Sequence, residues 1–453
     1  MEQKYIVAIE IGSSKIKGAI GSIDETGTLT VLAVEEEKVL DSVRYGCIQN
    51  VDMVCNAVSQ VVSRLEQDPG IAPRKIKSVY VSVGGRSLSS VIVNESTTLP
   101  DETEITEYII EQIKYKVKTT AIADRDVIDV VPCKYFVDKQ MVPNPVGVFG
   151  QTLTAKMNLI VCKPQIKRNI NRVLCERLPF AIAGYIVRPV AIADIVLTDN
   201  EKRLGCMFVD FGAETTTVSI YKDAVLQYIA TLPMGSRNIT RDITATNCIE
   251  EKAEEFKIAH GSAIADGSAK KTTADGVDVA EINSFVQARS SEIVANIIEQ
   301  LNYAGYKAAE LPQGIIIVGG GAKLRGFNSL LGTNSDMKVR SGAPAGMIRI
   351  VDSSIQAYDS IDVLALLMAA SRMSALECTY MPEVEIEDEP VEIQEEIDAD
   401  DIDDFVEEEP QPVKTQKKNR WGVSLNLSAL KEKVVRIVTE SADDESDGYD
   451  DEE

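Results

Sequence analysis

A single histidine, His260, stands in 453 residues, so a multi-histidine metal site is excluded. Any Ser/His/Asp or Cys/His arrangement would have to run through that one side chain. The eight cysteines (47, 55, 133, 162, 175, 206, 248, 378) form no C-x-x-C pair and lie mostly in apolar runs. They read as reduced, small hydrophobic residues of a reducing compartment. No apolar run approaches the ~18–20 residues of a membrane span. An apolar strand begins at Tyr5, where a signal peptide would place its basic region. The expectation is a cytosolic chain, attached to a membrane at most peripherally. An excess of positive charge is also lacking, which argues against nucleic acid as a partner.

The net charge of −24 is concentrated near the C-terminus. Residues 383–409 hold sixteen Asp/Glu and no Lys/Arg, and residues 440–453 hold nine acids and no base. Without these, 46 acids face 47 Lys and Arg, so the remaining chain is close to neutral. Between the two tracts, residues 410–439 carry seven Lys/Arg against one Glu, with Trp421. Up to about residue 380, β-rich runs (5–11, 15–21, 79–85, 127–137, 157–162, 206–212, 216–221, 315–321) alternate with helical patterns (51–67, 104–119, 165–178, 238–260, 280–305, 361–376). The fold class is therefore α/β.

One echo organises this body. E-I-G-S-S-K-I at Glu10–Ile16 and D-F-G-A-E-T-T at Asp210–Thr216 lie two hundred positions apart in register. Each is a strand, an acid, a glycine, small polar residues and a second strand, which predicts two related domains. Such turns suit polyphosphate: Gly12 and Gly212 let backbone N–H groups point inward, while Ser13, Ser14, Thr215 and Thr216 add hydroxyls. Lys15 adds a point charge, and Glu10 and Asp210 would hold Mg²⁺ through intervening waters. Taken singly, either hairpin is weak evidence, because a glycine turn between strands is usually only a turn. A third element, I-I-I-V-G-G-G-A-K-L-R-G-F at Ile315–Phe327, reads as a buried strand, three glycines (Gly319, Gly320, Gly321) and a helix whose N-terminus meets phosphate or ribose. It lacks the Rossmann and Walker patterns.

In this order and spacing, the three elements resemble the actin-like ATPase superfamily and, within it, the FtsA family of bacterial cell-division proteins. A-E-E-F-K at Ala253–Lys257 and P-M-G-S-R-N-I-T-R-D-I at Pro233–Ile243 match that superfamily's nucleoside helix and the segment before it. V-Y-V-S-V-G-G-R at Val79–Arg86 and N-P-V-G-V-F-G-Q-T-L at Asn144–Leu153 resemble the small subdomain inserted in FtsA. The resemblance covers residues 4–380. It implies an actin-like two-domain ATPase fold with ribonuclease H-like halves. The first domain would comprise 1–84, 164–203 and 353–380, with an α+β insert at 85–163. The second would comprise 204–246 and 313–352, with its small subdomain at 247–312. A disordered acidic linker (381–412), a basic amphipathic helix (413–439) and an acidic tail (440–453) would follow.

The resemblance further implies ATP and Mg²⁺ as cofactors, with Gly235, Glu254 and Lys257 joining the nucleotide site beside Asp210, Ala213 and the turn residues. Three departures from the family pattern bear on chemistry. Glu10 replaces an Asp, Ala213 and Glu214 replace two glycines, and Thr217 replaces a final Asp. Glu214 beside a triphosphate would have to turn outward or bind metal. The implied outcome is ATP binding with weak or absent hydrolysis, and no catalytic base is assignable. The implied role is a filament-forming adaptor on the cytoplasmic face of the cell membrane at the division septum. It would bind the FtsZ C-terminal tail and other divisome proteins, with Arg289 either contacting an acidic tail or standing as a solvated helix charge. Trp421, Leu427, Leu430, Lys431, Lys433, Val434, Arg436, Ile437 and Val438 would place the terminal helix on anionic lipid or, alternatively, on protein. A small-molecule kinase of the superfamily and a pilus-assembly adaptor are the competing readings.

Overall fold

The computed structural model describes residues 4–24, 28–120, 122–265, 272–345, 348–373 and 376–382. The terminal helix with its lipid-facing residues and the acidic tail lie outside this range, as does the linker beyond Pro382. Among the described residues, no helix is long and apolar enough to cross a membrane.

The two-hundred-residue echo is a duplication of sheet topology. In the first sheet the order is Ala181–Val187, Ser78–Val83, Lys4–Ile11, Lys15–Ile23, Leu29–Lys38, with Arg349–Ile350 at the edge. The second sheet contains the same series: Val339–Ser341, Ile315–Val318, Cys206–Phe211, Thr216–Lys222, Val225–Leu232. In both, the leading strand of the hairpin pairs antiparallel with the next strand and parallel with a later one. Buried parallel strands need apolar residues on both faces, and Ile6–Ile9 and Met207–Val209 are fully buried.

Period-two alternation then assigns each face. Met207, Val209 and Phe211 belong to the core of the second half, whereas Cys206 and Phe208 pack into the core that fills the first half. Asp210 shares the parity of Phe208, so its carboxylate is directed toward the first half. Helix Val51–Gln67, capped by the Asn50 side chain on Met53 N–H, buries Val54, Val58, Val61 and Leu65 against the first sheet. Gly18 permits that approach: a Cβ there would lie 2.5 Å from Val61 Cγ1.

The insert has its own core around Leu99, Ile113, Leu153 and Met157 beneath helix Glu107–Lys118. Its strands continue the second sheet through the pair Ala230↔Ser89, so it is not a separate sheet. Elsewhere the structure divides what periodicity joins. The 238–260 pattern is two helices, Ser236–Ile243 and Glu250–His260, separated where Asn247 turns left-handed at φ 63°. The 165–178 pattern is helix Pro164–Asn171 followed by a wider π-type turn, Arg172–Arg177. The 315–321 strand stops at Val318, because Gly319 adopts φ 95°.

Candidate functional site

Both hairpin turns close with the same hydrogen bond: Gly12 N–H donates to Lys15 O at 3.0 Å, and Gly212 N–H to Thr215 O at 2.9 Å. A Cβ on Gly12 would fall 2.7 Å from Lys15 O and 2.9 Å from Glu10 Oε2. Glycine there is a steric necessity.

The acids that precede the turns, Glu10 and Asp210, are 4% and 2% exposed and face a common cation. Arg188 places Nη1 3.5 Å from Glu10 Oε1 and Nη2 2.7 Å from Asp210 Oδ2. The second contact lacks hydrogen-bonding alignment, leaving Asp210 Oδ2 buried without a donor. Arg188 opens helix Arg188–Val196, where the dipole disfavours a cation, so its position depends on those carboxylates. Lys17, the cross-strand partner of Glu10, pairs with Asp362 at 2.9 Å and donates to Asp359 O. Three carboxylates and two cations thus share one floor between the halves.

Burial pushes Glu10 up to about 7; Arg188 opposes this, and Asp362 and Asp210 reinforce it. Asp210 is also raised, chiefly by burial and against the pull of Arg188. Burial acts to lower Arg188, but Asp210 and Glu10 more than reverse it.

Glu214 does not turn outward. It is fully buried and accepts from Tyr45 N–H and Arg241 Nη2, each at 2.8 Å, with Arg237 Nη1 at 3.6 Å. Arg237 and Arg241 also reach Asp41, and both pair with Glu250. The 41–45 loop of the first half is thereby tied to the second hairpin. Charge in that turn is tolerated because arginines surround it.

The remaining predicted residues fall into groups. Ser13 Oγ is buried and accepts from Gly46 N–H, Ser14 is exposed, and Lys15 pairs with Glu36. Thr215 is buried, and Thr216 donates to Met234 O. The N-terminus of helix Ser236–Ile243 sits on the second turn: Ser236 N–H donates to Gly212 O at 3.0 Å and Arg237 N–H to Ala213 O at 2.7 Å. A Cβ on Gly235 would lie 2.4 Å from Ala213 O, so Gly235→Ala is expected to cost about 1–3 kcal/mol, read by urea unfolding. Lys257 donates to Ser236 O, Thr240 Oγ1 and Glu254 Oε2 at 3.1, 2.8 and 2.7 Å, which occupies all three of its protons. Burial lowers its pKa despite Glu254.

The glycine triplet does not lead straight into an α-helix. Gly320–Lys323 is a 3₁₀ turn, and the helix Phe327–Ser335 begins only after Gly326. Gly319 and Gly321 press on Phe211, where a Cβ would come within 2.3 and 2.6 Å, and only Gly320 of the three faces open space. Arg289 is committed to Asp242 (2.6 and 3.1 Å) and to Glu292. Arg188, Lys17, Asp362 and Arg241 escape sequence reasoning. The one signal is Arg-Pro after a strand, which puts a cation at a helix start.

Two matched halves around a shared acidic and glycine-lined floor define an actin-like fold, here carrying an inserted subdomain. The chain of the PilM-PilN type IV pilus biogenesis complex has the same fold at TM-score 0.58 and 13% identity, covering 81% of this chain and 98% of that one. The family described as "Cell division protein FtsA" matches residues 207–359, and "SHS2 domain inserted in FTSA" matches 85–161. The FtsA of Porphyromonas gingivalis is 33% identical over 347 residues, which are 73% of this chain and 72% of the relative. Escherichia coli K12 FtsA is 26% identical, covering 80% and 89%. The chain belongs to the FtsA family of cell-division proteins.

Proposed function

We propose that this actin-like cell-division protein binds ATP with Mg²⁺ between its halves, assembles into filaments and tethers the FtsZ ring to the cytoplasmic membrane. The observation that carries this reading is the pair of glycine turns, closed by the same hydrogen bond and preceded by Glu10 and Asp210, around one floor. The donor set fits the cofactor: Asp210 Oδ2 is buried without a donor, and the first turn has no room for a Cβ on Gly12. No cluster of three metal-ligating side chains occurs among the described residues. Glu10 and Asp210 would therefore hold Mg²⁺ together with waters and phosphate oxygens.

The bound metal supplies positive charge that neutralises phosphate oxygens. Gly12, Ser14, Gly212 and Ala213 frame the phosphate side. Lys15 joins them by exchanging Glu36 for phosphate, and Gly320 with the half-exposed Glu254 leaves space on the nucleoside side. Lys257 and Gly235 act beneath the site by fixing helix Ser236–Ile243. Because Asp362, Glu10 and Asp210 are each matched to Lys17 or Arg188, the floor favours retention of nucleotide over activation of water. The domain boundaries inferred from sequence remain part of this proposal.

Calorimetry of the full chain with Mg²⁺-ATP tests the cleft: saturable heat is expected, and no heat overturns it. Vesicle pelleting with and without residues 413–453 tests the membrane role. Pelleting with anionic lipid is expected only when that segment is present.

A further inference from the structure

A second cavity, of about 720 Å³, opens where the insert joins the first half. Its size falls in the ~300–1,000 Å³ range of small-molecule sites. Four cations line it: Arg86 and Arg125 from the insert, Lys163 at the junction, and Arg172 from the first half. No Asp or Glu lines it, and none of these four has an ion-pair partner among the described residues. Elsewhere in the chain Arg64, Arg237, Arg241, Arg289 and Arg340 each pair with carboxylates. Like charges converging without a counter-charge are mutually repelled, and an anion relieves that repulsion.

Arg125 is held through its side chain, and backbone bonds fix the segments that carry Lys163 and Arg86. Arg125 Nη1 donates to Ser87 O at 2.8 Å, and Ser87 Oγ accepts from Lys163 N–H at 3.1 Å. Arg86 N–H donates to Tyr45 O at 3.0 Å. The fields of Arg86 and Lys163 meet at the Cys47 thiol on the cavity wall: burial raises its pKa, and both cations pull it down. Helix Pro164–Asn171 also directs its N-terminus to this side, through Gln165 and Ile166. Ile48 and Val51 provide an apolar floor.

We propose that this cavity binds a small polyphosphorylated anion, held by guanidinium forks from both sides of the insert junction. Arginine forks match phosphate oxygens in pairs, and a bounded cavity with an apolar floor favours a compact ligand over an extended acidic peptide. Such a ligand links Arg86 and Arg125 to Arg172, and so fixes the angle of the insert on the first half. The site is separate from the ATP cleft and does not depend on it.

The probe is inorganic tripolyphosphate without Mg²⁺, added to the full chain and read in two ways. Calorimetry measures affinity, and maleimide labelling with mass spectrometry measures access to Cys47, with exposed Cys175 as internal reference. Tripolyphosphate is expected to slow Cys47 labelling and leave Cys175 unchanged. Arg86→Ser with Arg172→Ser is expected to weaken binding about tenfold or more, and Lys163→Ser to weaken it less. All three side chains are exposed, so the variants retain the fold. Absence of Cys47 protection, wild-type affinity in the double variant, or stronger protection by a glutamate-rich peptide each overturns the assignment.

Discussion

Arg188→Met is expected to destabilise the protein by about 3–5 kcal/mol, the cost of breaking a buried ion pair from one side. Glu10 and Asp210 would remain almost fully buried with no shared cation, at a separation that Arg188 spans with its two Nη atoms. Burial already raises both acids, so losing Arg188 drives each toward its protonated form. Urea unfolding at neutral pH measures the loss. Adding Glu10→Gln and Asp210→Asn to the Met variant is expected to recover most of it, because neutral isosteres remove the uncompensated charge. A loss below ~1 kcal/mol would show a solvated, dispensable pair. Arg188→Lys is not expected to substitute, since a compact ammonium lacks the planar fork whose two ends reach the two carboxylates.

Much of the body was legible because its determinants are local or periodic. The helix Val51–Gln67 matches its predicted span: an Asn cap and a clean apolar stripe define both ends. The hairpins were legible because an acid, a glycine and small residues between apolar runs have few alternatives as structure. The division of 238–260 was not, since one left-handed Asn247 interrupts a continuous pattern without a glycine or proline to mark it. Strand Leu29–Lys38 was hidden by its acidic end, Glu35–Glu37, two members of which are held by Arg64 on the facing helix. The site was half legible. Glu10 and Asp210 stand beside their glycines, but Arg188 lies 178 positions from Glu10 and 22 from Asp210, Asp362 lies 152 beyond Asp210, and no local pattern encodes that meeting. The orientation of Glu214 was equally non-local, because its partners are Arg241 and a backbone N–H at Tyr45.

Glu214 has an expected effect of similar size and a different consequence. Glu214→Ala removes a fully buried carboxylate on which both halves converge, leaving Arg241 and the Tyr45 N–H without their acceptor. The expected cost is about 3–5 kcal/mol. Tyr45 adopts φ 50°, a left-handed conformation that costs a non-glycine residue roughly 1–2 kcal/mol, and Asp41 and Gly46 beside it are also left-handed. The loop holds this shape through Glu214 and the close approach of Gly46 to Gly85. Loss of the carboxylate should therefore release the 41–46 loop before it unfolds either half. Hydrogen exchange at Tyr45 is expected to accelerate by more than the change in global stability accounts for, while amides of the Lys4–Ile11 strand follow global stability. A double-mutant cycle with Arg241→Ala should give a coupling of about 1–3 kcal/mol. Equal acceleration at Tyr45 and in the central strand, or coupling near zero, would mean that Glu214 only fills space and the halves are held together elsewhere.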